Sequence, residues 1–408
     1  MRIKAFQAYR PPPDRAIRVA SPPYDVVDTE EARRQAEGNP DCFFHVSRAE
    51  IDLPEGTDPH DDLVYRTAAA NFAAFRDRGT LVPDSAPGLY IYRLAWGAHA
   101  QTGVVAVCHV DDYHRNVIRK HEKTRQAPED DRTRHIVAVG AHTGPVLLAH
   151  RDQPAIDRLV EEETRKAPLY DFTAPDGIHH AVWKASDHAG FERLFSAVPA
   201  AYIADGHHRA AAAARVARAR RAAAAGVSGE EEFNWFLAAL FPASRLKILP
   251  YNRCVRDLNG LAADTFLRAV NECFEVTAAS HSAPEHPGRI HLFLDGRWHR
   301  LSWPSAALED PVSSLDVSVL QDRLLAPLLG IDDPRNNPRL EFIGGIRGVR
   351  ELENRVRTGR AAAAFSLYPT TIDQLMAVAD RGLTMPPKST WFEPKLRSGL
   401  LVHPLEPL

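Results

Sequence analysis

The sequence predicts an α+β fold, and three observations predict it. Residues 202–215 read YIADGHHRAAAAAR: a short apolar run stops at Asp205-Gly206 and passes into an alanine-rich stretch, Ala210 to Ala225, with the highest helix propensity in the chain. Two pairs of apolar runs read as hairpins, Gly88–Trp96 with Thr102–Val110 around a turn containing Gly97, and residues 291–303 (HLFLDGRWHRLSW) around Asp295-Gly296. Between them lie helical patterns such as Asp58 to Arg78, with Leu63, Ala70, Phe72 and Phe75 on the buried side and Gly79 as the stop. No internal repeat organises them.

The other elements follow in chain order. Ser21 to Val27 is a proline-stiffened loop that leads into a short helix at Thr29. Residues 117–135 (VIRKHEKTRQAPEDDRTRH) are the most polar cluster, followed by Thr143-Gly144-Pro145, a strand from Val146 to Ala149 and a helix from Ala155 to Lys166. After the 202–225 segment come a strand from Trp235 to Phe241 and a helix from Leu261 to Phe274. A helix from Leu315 to Leu329, a glycine loop at Gly344-Gly345, a helix from Arg347 and a strand from Ala361 to Leu367 complete the pattern. The tail from Met385 shows little periodicity and many reactive groups, and Ser282 to Pro287 reads as a surface loop.

Composition excludes several classes. A chain of 408 residues has room for two or three domains, and 44% hydrophobic with 25% charged residues is the balance of a soluble globular protein. A net charge of −3 argues against a general nucleic-acid or membrane-surface binder. Four scattered cysteines with no CxxC rule out a thiolate zinc cluster and give no disulfide scaffold, so the cytoplasm is the expected compartment. The basic run Arg215 to Arg221 reads as the solvated face of the alanine-rich helix.

The chemistry concentrates at residues 205–209. His207, His208 and Arg209 stand at the mouth of a helix directly after Gly206, where unpaired N–H groups and the positive end of the helix dipole favour an anion. Arg209 adds a forked, permanently charged donor. Asp205 is the odd member, because an acid repels phosphate unless it binds a metal or takes a proton. Two plain readings stand beside this one: Asp205 as a helix cap, and His-His-Arg as a solvated first turn. Glu122, inside KHEKTR (120–125), is an acid among cations, a candidate general base or simply an exposed paired turn. Lys388, Lys395 and Arg397, with Ser389 and Thr390, form a second cationic group suited to clamping phosphate or to covering the core with their stems. Arg347 after Gly344-Gly345 repeats the glycine-then-basic logic more weakly. Asp111-Asp112 and Glu129 to Asp131 are metal candidates by type, and solvated pairs by habit. Walker, HExxH, GxSxG and GxGxxG motifs are all missing.

Taken together, SPPYDVV (21–27), DDYHRNVIRKHEKTR (111–125), TGPV (143–146), YIADGHHRAAAA (202–213), YNR (251–253), GGIRG (344–348) and MPPKSTWFEPKLRSGL (385–400) resemble a widespread bacterial family along nearly the whole chain. A more distant resemblance, over about residues 113–225, is to the free-serine kinases of the ParB/sulfiredoxin superfamily. It implies a central ParB/sulfiredoxin-like core at 113–226, flanked by an N-terminal α+β segment at 1–112 and a C-terminal α+β segment at 227–408 that closes the site. It also implies phosphoryl transfer from ATP, ADP or pyrophosphate to free L-serine or a similar hydroxylated metabolite, with Mg²⁺ held mainly by phosphate oxygens and no side chain assigned as metal ligand. Glu122 and Asp205 become the catalytic pair. Gly206, His207, His208, Arg209, Lys388 and Lys395 become the phosphate contacts, and Arg125, Thr143 and Arg347 the substrate contacts. A nucleotide-binding ParB-like regulator associated with DNA, and a phosphohydrolase with the same anion site, are the rival expectations. The expected partners are small molecules, without membrane and without nucleic acid.

Overall fold

The computed structural model describes residues 1–224, 226–304 and 310–408, so Ala225 of the predicted helix lies outside the described residues. The chain divides into two compact units, one of residues 1–120, 124–246 and 394–408, the other of residues 121–123 and 247–393. The class is α+β, with helices laid against several sheets.

The first unit is built on a nine-stranded mixed sheet. Its strands are β1 (Ile3–Lys4), β2 (Tyr90–Trp96), β3 (His99–His109), β4 (Ile118–Arg119), β5 (Val146–His150), β6 (Tyr170–Thr173), β7 (His179–Lys184), β8 (Ala201–Asp205) and β9 (Trp235–Pro242). They lie in the order β4-β8-β5-β9-β3-β2-β7-β6, with β1 paired to the end of β3. This sheet draws strands from each of the sequence segments 1–112, 113–226 and 227–408. β5 and β9 pair in parallel and are buried along their whole length, as central strands covered on two faces are.

The longer helices of this unit are α1 (Thr29–Ala36), α2 (Asp62–Asp77), α3 (Gln126–Val139), α4 (Pro154–Glu163), α5 (His188–Ser196) and α6 (His207–Ala223). α1 starts at a capping box in which Asp28 and Glu31 satisfy each other's backbone N–H groups. In α2 the buried face is Val64, Tyr65, Ala68, Phe72 and Phe75, whereas Leu63 and Ala70 are exposed. The helix begins four residues later than its sequence pattern, because Asp61 caps it. α6 explains its own alanines. Ala210, Ala213 and Ala217 pack on the sheet core, and Ala212 and Val216 pack against Ile136 of α3. Small side chains on both faces let one helix lie close to a sheet and to a second helix. Its arginines are not merely solvated: Arg215 pairs with Asp130, Arg220 with Glu406 and Arg221 with Asp111. The polar cluster that carries no apolar period folds as α3, whose acids find specific partners. Asp131 meets Tyr65 and Arg132, and Asp112 meets Arg2, so these acids are ion-paired rather than gathered for a metal.

The second unit holds a six-stranded antiparallel sheet of β10 (Tyr251–Val255), β11 (Glu275–Ala278), β12 (Arg289–Leu294), β13 (Arg297–Ser302), β14 (Leu340–Gly344) and β15 (Ala363–Leu367), in the order β11-β13-β12-β15-β10-β14. The β12–β13 hairpin turns at Asp295 and Gly296, both with positive φ (47° and 78°), the conformation of a tight two-residue turn. Helices α7 (Ala263–Cys273), α8 (Gly348–Arg357) and α9 (Ile372–Asp380) belong to this unit, and Leu352 of α8 packs among Cys254, Phe293 and Ile343. Among the described residues no helix is long and apolar enough to cross a membrane.

Gly103 on β3 marks the tightest backbone approach in the first sheet, since a Cβ there runs into the Leu240 carbonyl and lies 2.8 Å from the Phe241 ring. Gly103→Ala is therefore expected to destabilise the first unit by about 1–3 kcal/mol, as overpacking of a filled core does. Urea unfolding followed by circular dichroism checks it, and an unchanged midpoint contradicts this packing.

Candidate functional site

The DGHHR turn joins β8 to α6 in the first unit. Asp205 ends the strand, and Gly206 stands at the N-cap with φ 94°. A glycine is required there twice over. The left-handed φ suits no β-carbon, and a Cβ would lie 2.9 Å from Nε of Arg209, whose guanidinium folds back across the turn. Gly206 has no side chain to accept from the first-turn N–H groups, so the positively polarised end of the helix carries no side-chain cap. Asp205 is not a cap. Its Oδ2 accepts from Arg209 at 2.5 Å and its Oδ1 accepts from Lys395 Nζ at 3.0 Å.

Burial works against the charge of Asp205, yet Lys395 and Arg209 outweigh it and hold the carboxyl well below the usual carboxylate range. Burial likewise works against Arg209, and the carboxylates of Asp205 and Asp25 outweigh it to keep the guanidinium charged. The proton that would relieve repulsion between Asp205 and a phosphate is thus not needed, because two cations already neutralise the acid. Arg209 also donates to the Pro145 carbonyl, which ties the turn to the TGPV loop. His208 Nε2 accepts from the backbone N–H of Arg125 at 3.1 Å.

Thr143 is held beside this turn. Its carbonyl accepts from Gly399 N at 3.3 Å, and Ser398 exchanges backbone hydrogen bonds with Ser21. The first unit therefore brings together Asp205, Gly206, His207, His208, Arg209, Arg125, Thr143 and Lys395 of the expected residues, together with the SPPYD and KLRSG segments. Arg397 is committed elsewhere. It is 3% exposed and donates to His180 Nε2 at 3.1 Å and to Asp176, so it braces the sheet rather than clamping an anion.

Glu122, Lys388 and Arg347 belong to the second unit. Met385 N donates to the His121 carbonyl at 2.7 Å, which fixes the segment next to Glu122 against the start of the MPPKST loop. Lys388 has φ 55°, a strained value for a side chain with a Cβ, and its loop is held from several sides. The buried Arg253 donates to the carbonyls of Lys388 at 3.0 Å and Pro387 at 3.3 Å, and Thr370 donates to that of Ser389 at 2.9 Å. The paired glycines before Arg347 serve packing. A Cβ on Gly344 would lie 2.8 Å from the Trp391 ring, and one on Gly345 would lie 2.6 Å from the Pro250 carbonyl. Arg347 itself is exposed.

Five of the seven sequence segments fall wholly within one unit, and residues 111–125 and 385–400 each run through both. Tyr24, Arg132, Ser398 and Arg253 received no role from the sequence. Tyr24 and Ser398 carried a signal, since each sits in a proline- or glycine-marked segment. Arg132 and Arg253 carried none, because one arginine among many reveals its burial only in three dimensions.

The profile of the family described as "Protein of unknown function (DUF1015)" matches residues 3–318. No curated protein matches the chain. Among solved structures, a C-terminally truncated SbnI from Staphylococcus aureus is similar at 13% identity and TM-score 0.40, over 74% of this chain and 87% of that one. A free serine kinase in complex with AMP is similar at 13% identity and TM-score 0.39, over 73% and 91%. A conserved hypothetical protein from Pyrococcus furiosus is similar at 13% identity and TM-score 0.36, over 73% and 95%.

Because its folded pKa is depressed, Asp205 contributes stability that is fully present above the ordinary carboxylate pKa of about 4 and is lost as pH falls through the lowered folded value. Asp205→Asn leaves Arg209 and Lys395 without their acid. The expected loss at neutral pH is toward the lower end of roughly 3–5 kcal/mol for a broken buried pair, since a quarter of the Asp205 side chain is exposed. Thermal unfolding from pH 7 down to pH 3 checks this: the variant should lose less further stability on acidification than the parent, and parallel curves contradict the pairing.

Proposed function

As the chain belongs to the DUF1015 family, described as proteins of unknown function, we propose its activity from its own residues: it is a phosphotransferase that moves a phosphoryl group from ATP, ADP or pyrophosphate to free L-serine or a similar small hydroxylated metabolite, giving O-phosphoserine. The observation that carries this reading is the ionised Asp205 between Arg209 and Lys395 at the N-terminus of α6, which no side chain caps. The trio has one net positive charge, and it adjoins N–H groups that point at whatever occupies the helix end. Such a site suits the terminal phosphate of a donor. Phosphoryl transfer asks the protein for positioning and charge neutralisation more than for covalent chemistry.

In this reading the acceptor hydroxyl oxygen attacks the terminal phosphorus and the bond to the leaving phosphate breaks. The resemblance of KHEKTR to the serine-kinase segment assigns Glu122 to take the hydroxyl proton. Gly206, His207, His208, Arg209 and Lys395 contact phosphate, and Asp205, the second catalytic carboxylate, is held in place by Arg209 and Lys395. Lys388 is a further phosphate contact, and Arg125, Thr143 and Arg347 are substrate contacts. Mg²⁺ enters with the donor. Both Asp205 oxygens already accept from cations, so the ion would be held by phosphate oxygens rather than by this carboxylate, and it supplies charge neutralisation.

Incubation of the purified protein with L-serine, Mg²⁺ and each donor in turn should give phosphoserine by mass spectrometry. Phosphate release without serine identifies a hydrolase instead, and no turnover with any donor overturns the reading. Lys395→Ala is expected to weaken donor binding by about tenfold to hundredfold, the worth of one charge-assisted hydrogen bond. Glu122→Gln should leave donor affinity intact and lower turnover by a factor on the order of 10² to 10⁴.

A further inference from the structure

Behind the Arg209 guanidinium, inside the first unit, lies a cavity of about 30 Å³. A single water needs roughly 10–15 Å³, so the space admits a small polar group. Its polar wall is made by Tyr24, Arg132, Thr143, Gly144, Arg209 and Ser398, and residues of β5 and β9 close its apolar side. Among the described residues none of those lining it is acidic.

The wall is rich in donors. Arg132 and Arg209 each satisfy one aspartate, Asp131 at 2.7 Å and Asp205 at 2.5 Å, and a guanidinium has five N–H groups. Nη1 is the Arg209 atom nearest Gly144, while Nε, buried without a hydrogen-bond partner among the described residues, lies against Gly206. Burial pushes the Tyr24 hydroxyl pKa up, so it keeps its proton at neutral pH. The histidines of the wall, His135 and His142, are held neutral by burial, with pKa values of about 4 and about 3, and bring no competing charge. Gly144 keeps the space open: its Cβ would lie 2.9 Å from the Ser398 hydroxyl and 3.9 Å from Arg209 Nη1.

Two guanidiniums and the hydroxyls of Tyr24, Thr143 and Ser398, in a small space with no acid in its lining, match a compact group that only accepts hydrogen bonds, and a planar carboxylate is the shape that a guanidinium fork meets. We infer that this cavity is a carboxylate-binding subsite, so that the acceptor is a small amino or hydroxy acid rather than a sugar or an amino alcohol. The inference rests on the phosphotransfer reading for the word acceptor. Arg209 belongs to both places, and one side chain separates the carboxylate subsite from the helix end assigned to phosphate.

Titration calorimetry on the full-length protein tests it with three probes: L-serine, acetate and ethanolamine, which keeps the amine and hydroxyl of serine but lacks the carboxylate. L-serine is expected to bind at least about tenfold more tightly than ethanolamine, with acetate competing for the L-serine site. Gly144→Ala, which fills the cavity, should weaken L-serine by about tenfold or more while ATP affinity stays within about twofold. Tyr24→Phe, which removes one donor and keeps the ring, should act in the same direction and serves if the alanine variant fails to fold. Equal binding of ethanolamine and L-serine, L-serine affinity untouched by the folded variants, or no carboxylate binding to the parent protein overturns the subsite. Failure of the phosphotransfer reading looks different: L-serine binds and the variants weaken it, yet no phosphoserine forms with any donor.

Discussion

The bond between Asp205 and its two cations is the constraint on which the first unit's site depends. It ties the end of β8 to the first turn of α6 through Arg209, and the C-terminal segment to both through Lys395. Arg209 extends the same tie to the TGPV loop through the Pro145 carbonyl. Gly206 follows from it, since the guanidinium occupies the place of a β-carbon. An acid that would repel phosphate by itself is thereby turned into the anchor of a positively charged turn, with burial opposing the arrangement and two ion pairs outweighing it.

The same economy of space recurs through the chain. The alanines of α6 let it lie between the sheet and α3. Gly103 lets β3 and β9 meet, and Gly344 and Gly345 accept Trp391 and Pro250. Loops that carry polar groups are held by buried donors rather than left free: Arg253 satisfies two carbonyls of the loop bearing Lys388, and Ser21 and Ser398 pair their backbones beside Thr143. Rigid surroundings of this kind hold polar groups in fixed orientations, which a site acting by electrostatics requires.

Much of this was legible. The strand–turn–helix at 202–223, both hairpins, the buried strand at 235–242 and the helices at 62–77 and 263–273 follow from local period and turn chemistry. The helix at 126–139 was not legible, because its buried face includes Asp131, Arg132 and His135, and a polar residue that finds its partner inside leaves no apolar period. Leu63 and Ala70 read as core and are exposed, since a capping Asp61 and the neighbours of α2 select a different stripe. Arg397 read as a clamp, and its partners His180 and Asp176 lie more than 200 residues away in the chain.

By itself the sequence determined that Gly206 begins a helix after a strand, that the charge on that turn is mixed, and that seven motif segments carry the polar chemistry. These are properties of neighbours along the chain, where propensity, spacing and turn geometry act. Only the tertiary structure decided that Asp205 is an ion-paired anchor and not a cap, that Lys395 reaches it while Arg397 turns away, and that Tyr24, Gly144 and Ser398 enclose a cavity with two arginines. Ion pairing and burial act over a few ångströms in space regardless of separation in sequence. A lysine 190 residues from its aspartate therefore leaves no local trace of the bond that holds the site together.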